Sequence, residues 1–379
     1  MTSTDKVKLA IVGLGNIANM HLKSCAELNN VDLVAVCDVD KELADKTAQT
    51  HDCKSFYDHK ELFDSKIAEA VIIATPHFHH TPIAIDAHAA GLHILSEKPL
   101  GVTKADCEKM LNAHTDKSKI FAVVFNFRTY PAFVKAKEIL ASGELGEILR
   151  VNVTATDWLR TNAYYESGTW RAKWATEGGG VLVNQCPHHL DLMQWLAGMP
   201  SKLFAVCKFG HHHPIEVEDD VVATFEYPNG ALGIFTTTTG ECPGRNRIEI
   251  STERGLLTIN NLTELTLLRN EKSVKDTLEN GGVWDNPWPW KCEIPVAPND
   301  DLFARALRLN LKSFADAVLG KSEPLAHAPE GMNSVELANA MIYSSLLNQP
   351  VELPIDAQAF QAKFDQLVEQ SQPAATSSA

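Results

Sequence analysis

Short, nearly continuous apolar runs recur through the first third of the chain, at Val7–Val12, Val31–Cys37, Ala70–Ala74, His93–Ser96 and Phe121–Phe125. Between them lie amphipathic stretches with helical spacing, among them Lys41–Thr50, Thr81–Ala90 and Thr103–Thr115. Strands that are apolar along their whole length are those with both faces covered, as in a parallel sheet flanked by helices. The alternation predicts an α/β fold over residues 1–126, a doubly wound parallel sheet of the Rossmann type.

After residue 126 the period changes. Pro131–Ser142 predicts a helix, closed by Gly143 and Gly146. Runs that alternate apolar and polar positions follow at Ile148–Thr156, Lys202–Lys208, Val221–Tyr227, Leu232–Thr238, Arg247–Ser251 and Leu256–Ile259. Tyr227-Pro228-Asn229-Gly230 separates two of them as a hairpin turn. Residues 127–369 are therefore expected to form an α+β domain on a large, mostly antiparallel open sheet. Two late helices are expected at Asp301–Leu319 and Glu330–Asn348, and the small, polar residues 370–379 as a disordered tail. The turn-rich stretch 270–300 carries Trp284, Trp288 and Trp290, which could stack on sugar rings or pack a loop against its own domain or a partner subunit.

Composition narrows the partners. A chain of 379 residues suits two domains. A net charge of -14 repels phosphate backbones and anionic membranes. No apolar run reaches the roughly 18 residues of a membrane helix. Polar Met1–Lys6 leads straight into the first strand, without the pattern of a secretory signal. The eight cysteines include no C-x-x-C pair. A cytoplasmic protein with reduced thiols is expected, without nucleic-acid or membrane partners. An antiparallel sheet with one uncovered apolar face must bury it somewhere, so a homodimer or homotetramer built through that sheet is expected.

The most informative local pattern is Gly13-Leu14-Gly15-Asn16-Ile17-Ala18, which follows the first strand as G-x-G-x-x-A. Gly13 suits a tight turn, Gly15 lets backbone approach a pyrophosphate, and Ala18 allows close helix packing. Asn16 and Ile17 open a helix whose N-terminal N–H groups face the phosphates. Asp38 ends the second strand 20 residues after Ala18, where its carboxylate can accept hydrogen bonds from ribose hydroxyls. The combination predicts NAD as cofactor. NADP is less favoured, because Asp38 repels a 2′-phosphate and no arginine adjoins it; Lys41 is the cation in that stretch that could pair one.

Further segments resemble the GFO/IDH/MocA oxidoreductases, the family of glucose–fructose oxidoreductase and inositol dehydrogenase. Thr75-Pro76-His77-Phe78-His79-His80 is similar to the family's T-P-N-x-x-H turn, with His77 in place of Asn. Glu97-Lys98-Pro99 matches its E-K-P, and Asn126-Phe127-Arg128 its N-x-R. Trp170-Arg171, Gly178-Gly179-Gly180, His188 and Asp191 resemble its W-R…G-G-G…D-x-x-x-H-x-x-D. The resemblance implies that Thr75, Pro76, His77, His80, Glu97, Lys98, Asn126, Trp170 and Arg171 border the dinucleotide, and that Lys98 and His188 are catalytic. Asn184 replaces the family's frequent Asp four residues before that histidine, so no carboxylate at that position tunes His188.

The residues themselves allow this chemistry. Lys98 lies just past a strand, at the carboxyl edge where open α/β sheets bind ligands, and its ammonium could stabilise a developing alkoxide. The following Pro99 favours an extended Lys98 backbone, and the bond between them could be cis. His188 is suited to exchanging a proton with a hydroxyl. On residues alone, His188 and His189 both also read as half-buried polar groups at a helix interface; the resemblance singles out His188. If Glu177–Leu196 is helical, Asn184, His188, Asp191 and Trp195 share a face, with Pro187 marking a kink or the true start.

The expected reaction is hydride transfer between a nicotinamide and a secondary alcohol or ketone of a sugar, sugar derivative or cyclitol, with Asn184 positioning the substrate. Tyr130, Asp157, Trp158, Trp170, Arg171, Asn184 and His188 offer hydroxyl partners and aromatic faces for such a ring. Arg128, Arg160 and Arg171 could clamp a carboxylate. Two alternatives stay open: an NAD-dependent glycoside hydrolase or eliminase using transient oxidation, and a non-catalytic NAD- or sugar-sensing regulator. No metal site is expected: on a strand, consecutive His211-His212-His213 would point to alternate faces and could not all hold one ion, and they read better as a solvated loop.

Overall fold

The computed structural model describes residues 6–168, 170–296 and 301–371. They form two compact units. The first runs to Asn126 and also takes in Thr176–Gly178 and Asp301–Val335; the second comprises the rest.

In the first unit, strands β1 (Val7–Val12), β2 (Val31–Cys37), β3 (Lys54–Phe56), β4 (Ala70–Ile73), β5 (His93–Ser96) and β6 (Phe121–Val123) form one sheet in the order β3-β2-β1-β4-β5-β6. Every pairing is parallel. Both faces are covered by separate apolar clusters, which is why these strands carry so few polar residues. The order reverses between β1 and β4, so the turns after those two strands flank the switch point where such sheets bind ligands.

The helix Leu302–Val318 belongs to this unit, whereas the sequence placed all of 127–369 in the second domain. Leu307, Leu311, Phe314 and Ala315 share one helical face and pack with Leu22 and Cys25 of the helix Asn16–Glu27. A return of that kind is a tertiary event with no local marker.

In the second unit, strands β7 (Ile148–Ala155), β8 (Lys202–Phe209), β9 (Glu218–Glu226), β10 (Leu232–Thr238), β11 (Asn246–Thr252), β12 (Gly255–Asn260), β13 (Glu264–Arg269), β14 (Trp290–Ile294) and β15 (Val351–Glu352) form a sheet in the order β14-β13-β12-β11-β7-β10-β9-β8-β15. All pairs are antiparallel except β7–β10. The turn at Tyr227–Gly230 joins β9 to β10 as the residues require, with Gly230 at φ +83. Side chains alternate between faces along each strand: Val221, Ala223 and Phe225 are buried while Val222 and Thr224 are exposed.

The sequence did not mark β13, β14 or the closing helix Ala357–Gln370. That helix includes Gln370, the first residue of the expected tail; 372–379 lie outside the described residues. Among the described residues no helix is long and apolar enough to cross a membrane, and no cysteine forms a disulfide.

Candidate active site

The glycine-rich turn of the first unit is fixed by close approach. Gly13 sits at φ +93, and a Cβ there would lie 2.7 Å from the backbone of Ala74, so only glycine lets β1 turn beside β4. At Gly15 a Cβ would meet nothing within 4 Å. Gly15 caps the helix Asn16–Glu27 without a side-chain bond, and no acidic residue stands in its first turn. A bare backbone N-terminus of this kind suits a pyrophosphate. Ala18 beneath it is fully buried.

Asp38 is oriented by the same turn. Its Oδ2 accepts the Leu14 N–H at 2.7 Å and its Oδ1 the Asp40 N–H at 2.9 Å. The carboxylate is therefore held beside the phosphate-binding backbone, with lone pairs left for ribose hydroxyls. Lys41, which could have neutralised a 2′-phosphate, lies with its Nζ 5.1 Å above the ring of Tyr57. The Thr75 hydroxyl, beside Gly13 in the turn after β4, is buried and has no hydrogen-bond partner among the described residues. An open glycine, a bare helix start and an orphaned hydroxyl fit a dinucleotide.

The Lys98 segment is tied to the same turns. Glu97 is buried: its Oε1 lies 2.8 Å from His21 Nε2 on the helix Asn16–Glu27, and its Oε2 accepts the Lys98 N–H at 3.2 Å. Burial alone would raise the Glu97 carboxyl, but His21 and Lys98 outweigh it and the net shift is downward. The Lys98–Pro99 bond is cis. His80 joins two turns, its Nε2 2.8 Å from the Thr75 carbonyl and its Nδ1 2.9 Å from that of Pro99. Desolvation lowers its pKa, against the two carbonyls, which favour the protonated ring. His77 Nδ1 lies 3.0 Å from the Glu177 carbonyl, and the Asn126 Oδ1 accepts from Asn310 Nδ2 at 3.3 Å. Gly13, Gly15, Asp38, Thr75, Glu97 and Lys98 thus gather at the carboxyl edge of the six-stranded sheet.

The second unit gathers another set. Pro187 is the true start of the helix Pro187–Ala197, with turns before it. Asn184 therefore stands in the preceding turn, its N–H bonded to the Gly180 carbonyl at 3.0 Å, and shares no helical face with His188. A Cβ on Gly180 would fall 1.9 Å from the Glu218 carbonyl oxygen, so that turn needs glycine too. His188 is mostly buried, its ring 4.9 Å from that of Phe127.

The adjacent histidine differs in kind. His189 is fully buried, and Asn246 Nδ2 lies 3.0 Å from its Nε2 and 3.2 Å from each oxygen of Asp157. An amide nitrogen only donates, so His189 Nε2 accepts. Desolvation pushes the His189 pKa down to about 4, and the ring stays neutral near pH 7.

Arg128 is not available to substrate. Its Nε and Nη2 bond the carboxylate of Asp191 at 2.9 and 2.6 Å, and both side chains are buried. The arginine expected to touch substrate is an internal strut beneath His188, because Asp191 lies one turn further along the same helix. Tyr130 is likewise buried, with its ring 4.9 Å from Phe127, and burial pushes its pKa up to about 12.

The remaining arginines form a ladder with aromatic rings. Arg160 lies over Trp158 and Tyr164, at 5.3 and 4.9 Å; Arg171 lies over Tyr164 and Trp170, at 4.4 and 4.7 Å. Arg171 Nη1 also donates to the Tyr164 hydroxyl at 2.7 Å. Tyr164, unmarked in the sequence, is the centre of this ladder; only the aromatic spacing of the short helix Asn162–Glu166 hinted at it. The Trp158 indole N–H has no partner among the described residues. Trp284 and Trp288 stand 93% and 86% exposed, remote from packing against their own unit.

Both parts of the chain resemble known proteins. Residues 7–125 match the oxidoreductase family's NAD-binding Rossmann fold, and residues 133–258 match the GFO/IDH/MocA C-terminal domain. The chain is 30% identical over 236 residues to a levoglucosan dehydrogenase of Pseudarthrobacter phenanthrenivorans, covering 56% of this chain and 60% of that one. It is 30% identical over 244 residues to the inositol 2-dehydrogenase of Salmonella typhimurium, covering 62% and 65%. The aligned segments thus span less than two thirds of those relatives. Among solved structures, the WlbA dehydrogenase of Bordetella pertussis, in complex with NADH and UDP-GlcNAcA, superposes with a TM-score of 0.77 at 25% identity, covering 93% of this chain and 100% of that one.

Proposed function

The chain belongs to the GFO/IDH/MocA oxidoreductase family, and on that premise we propose that it is an NAD-dependent dehydrogenase acting on a secondary hydroxyl of a sugar, sugar derivative or cyclitol. The observation that carries the reading is Lys98. It stands at the carboxyl end of β5, on the same sheet edge as the Gly13–Ala18 turn, with its backbone N–H held by a buried glutamate.

The nicotinamide, when bound, supplies the hydride acceptor. The chain's residues do the rest. The Gly13–Ile17 backbone holds the pyrophosphate, and Asp38 accepts from the adenosine ribose. Lys98 stabilises the alkoxide that forms as the hydroxyl proton leaves, and the imidazole of His188 takes that proton. Asn184 positions the ring by hydrogen bonds. Trp158, Trp170 and Tyr164 offer apolar faces, while Asp157, Arg160 and Arg171 offer polar partners, which suits a ring polar at its edge. With Arg128 committed to Asp191, a carboxylate on the sugar would be met by Arg160 and Arg171.

The reading extends to assembly and place. Val206, Val222, Leu232 and Ile234, 41–47% exposed, share the uncovered face of the nine-stranded sheet. Two copies packed through that face would bury it, giving a homodimer or homotetramer. Eight thiols without a disulfide suit the cytoplasm.

The experiment is a panel of sugars, glycosides, uronates and inositols with NAD, followed by the absorbance of the reduced cofactor. Reduction with at least one cyclic polyol is expected. Activity confined to aliphatic alcohols or short hydroxy acids would defeat the substrate assignment.

A further inference from the structure

His211, His212 and Asp220 lie outside every residue assigned above. Their ligand atoms all fall within 4.8 Å of one another, and among the described residues they are the one such group of metal-binding type. The sequence argued against a shared ion because neighbours on a strand face opposite ways. The loop that the residues favoured is what forms: β8 ends at Phe209, and His211–His213 lie in the connection to β9, where strand alternation does not hold the rings apart.

The loop is built around one carboxylate. Buried Asp219 accepts the backbone N–H groups of His211, His212 and His213 at 2.9, 2.8 and 3.1 Å. It also takes in the third imidazole, with His213 Nδ1 at 3.0 Å, while His213 Nε2 faces the Arg160 carbonyl at 2.8 Å. His213 is thereby turned inward. The rings of His211 and His212 are left outside, 4.4 Å apart. A Cβ on Gly240 would come within 2.2 Å of His212 Cγ, so that ring is seated on the Gly240 backbone. Asp220 shares the exposed strand face, its Oδ2 3.5 Å from His212 Nε2. Tetrahedral bonds of about 2.0–2.1 Å place neighbouring ligand atoms roughly 3.3 Å apart. The pair therefore needs almost no movement to share an ion, and His211 only a side-chain adjustment.

We propose that His211, His212 and Asp220 form a binding site for one divalent late first-row transition ion such as Zn²⁺, with water completing its coordination. Two imidazoles and one carboxylate select Zn²⁺, Ni²⁺ or Cu²⁺ over Mg²⁺ and Ca²⁺, which prefer all-oxygen sites. The acidic surface of the whole chain raises the local cation concentration. Lys208, opposite Asp220 on the strand ladder, is a competing cation for that carboxylate. A bound ion would tie the loop to β9.

The test uses untagged, chelator-treated full-length protein, titrated with Zn²⁺ by calorimetry and with Co²⁺ by visible absorption. We expect one saturable equivalent per chain and a Co²⁺ spectrum without thiolate bands. The His211→Ala/His212→Ala double variant and Asp220→Asn should each weaken it by about tenfold or more, the range already seen when only supporting groups of a metal site are lost. Replacing the exposed thiols, Cys242→Ser and Cys292→Ser, should leave it intact. Zn²⁺ should raise the melting temperature of the wild type and not that of the double variant, while the metal-free melting temperatures coincide. Absence of saturable uptake by the wild type overturns the proposal. So does uptake that survives both sets of ligand substitutions or that disappears with the thiols.

Discussion

On the proposed reading, the two units would recognise small molecules with different parts of the chain. In the six-stranded unit the candidate contacts fall mostly to the backbone: a turn that only Gly13 can make, an open Gly15, a bare helix start, and one carboxylate pinned by the N–H groups of Leu14 and Asp40. In the nine-stranded unit the candidate contacts are side chains, such as the Trp158–Arg160–Tyr164–Arg171–Trp170 ladder. A backbone site suits a ligand of fixed shape, such as a pyrophosphate. A side-chain site can be rebuilt residue by residue for a new substrate. The sheets differ in the same sense: one is covered on both faces, and the other leaves Val206, Val222 and Ile234 in solvent.

If chemistry and cofactor binding are divided in this way, the largest effects should separate the two. Lys98→Ala and His188→Ala are each expected to lower kcat by about 10²–10⁴-fold. NAD affinity of His188→Ala, read by quenching of protein fluorescence, should stay near that of the wild type. Near-normal turnover in both variants would remove their roles.

Next is the strut under His188. Asp191→Ala leaves the buried guanidinium of Arg128 without its carboxylate, which should cost about 3–5 kcal/mol in urea unfolding. A variant as stable as the wild type, with a raised KM instead, would return Arg128 to the substrate.

The buried His189 makes a pH argument. Its folded-state pKa, about 4, lies below the ordinary value of 6.5. The unfolded chain therefore binds the extra proton first, so this contribution is whole above about pH 6.5 and is lost as pH falls toward 4. On the order of 1–3 kcal/mol should disappear over that interval, and His189→Gln should flatten the slope. An unchanged slope would mean other groups set it.

The smallest expected effect concerns the cofactor. Asp38→Ala should shift the ratio of kcat/KM for NADP against NAD by about tenfold toward NADP, or roughly 1.4 kcal/mol. A ratio that does not move would show that Lys41, held over Tyr57, was deciding the preference.

How far each unit could be read from the residues follows from the same contrast. The Rossmann unit was legible because its strands are apolar throughout and its ligand turns are short and contiguous: Gly13–Ala18, Asp38 and Glu97-Lys98-Pro99 need no distant partner to be recognised. The helix Leu302–Val318 was expected as a helix but assigned to the wrong domain, since its return to the first unit is fixed by Leu307, Leu311 and Phe314 meeting Leu22, a contact nearly 300 residues apart. In the second unit Arg128 was misread as a substrate contact because its partner, Asp191, is brought to it by the fold. Tyr164 was missed because the aromatic spacing of its short helix gains meaning only when the fold brings Arg160 and Arg171 over its ring. His211 and His212 were read as a solvated loop, which the structure bears out, but the buried Asp219 that turns His213 inward and leaves the other two rings side by side becomes decisive only once the backbone is in place.

The most direct test of the central claim is to follow one hydrogen. A cyclic polyol from the substrate panel, deuterated at each oxidisable carbon, is incubated with the enzyme and NAD, and both products are analysed by mass spectrometry. The account predicts one deuterium on every reduced nicotinamide, a matching ketone, and loss of both in His188→Ala. Release of sugar from a nitrophenyl glycoside with no net cofactor reduction, or reduced cofactor without deuterium, would contradict it.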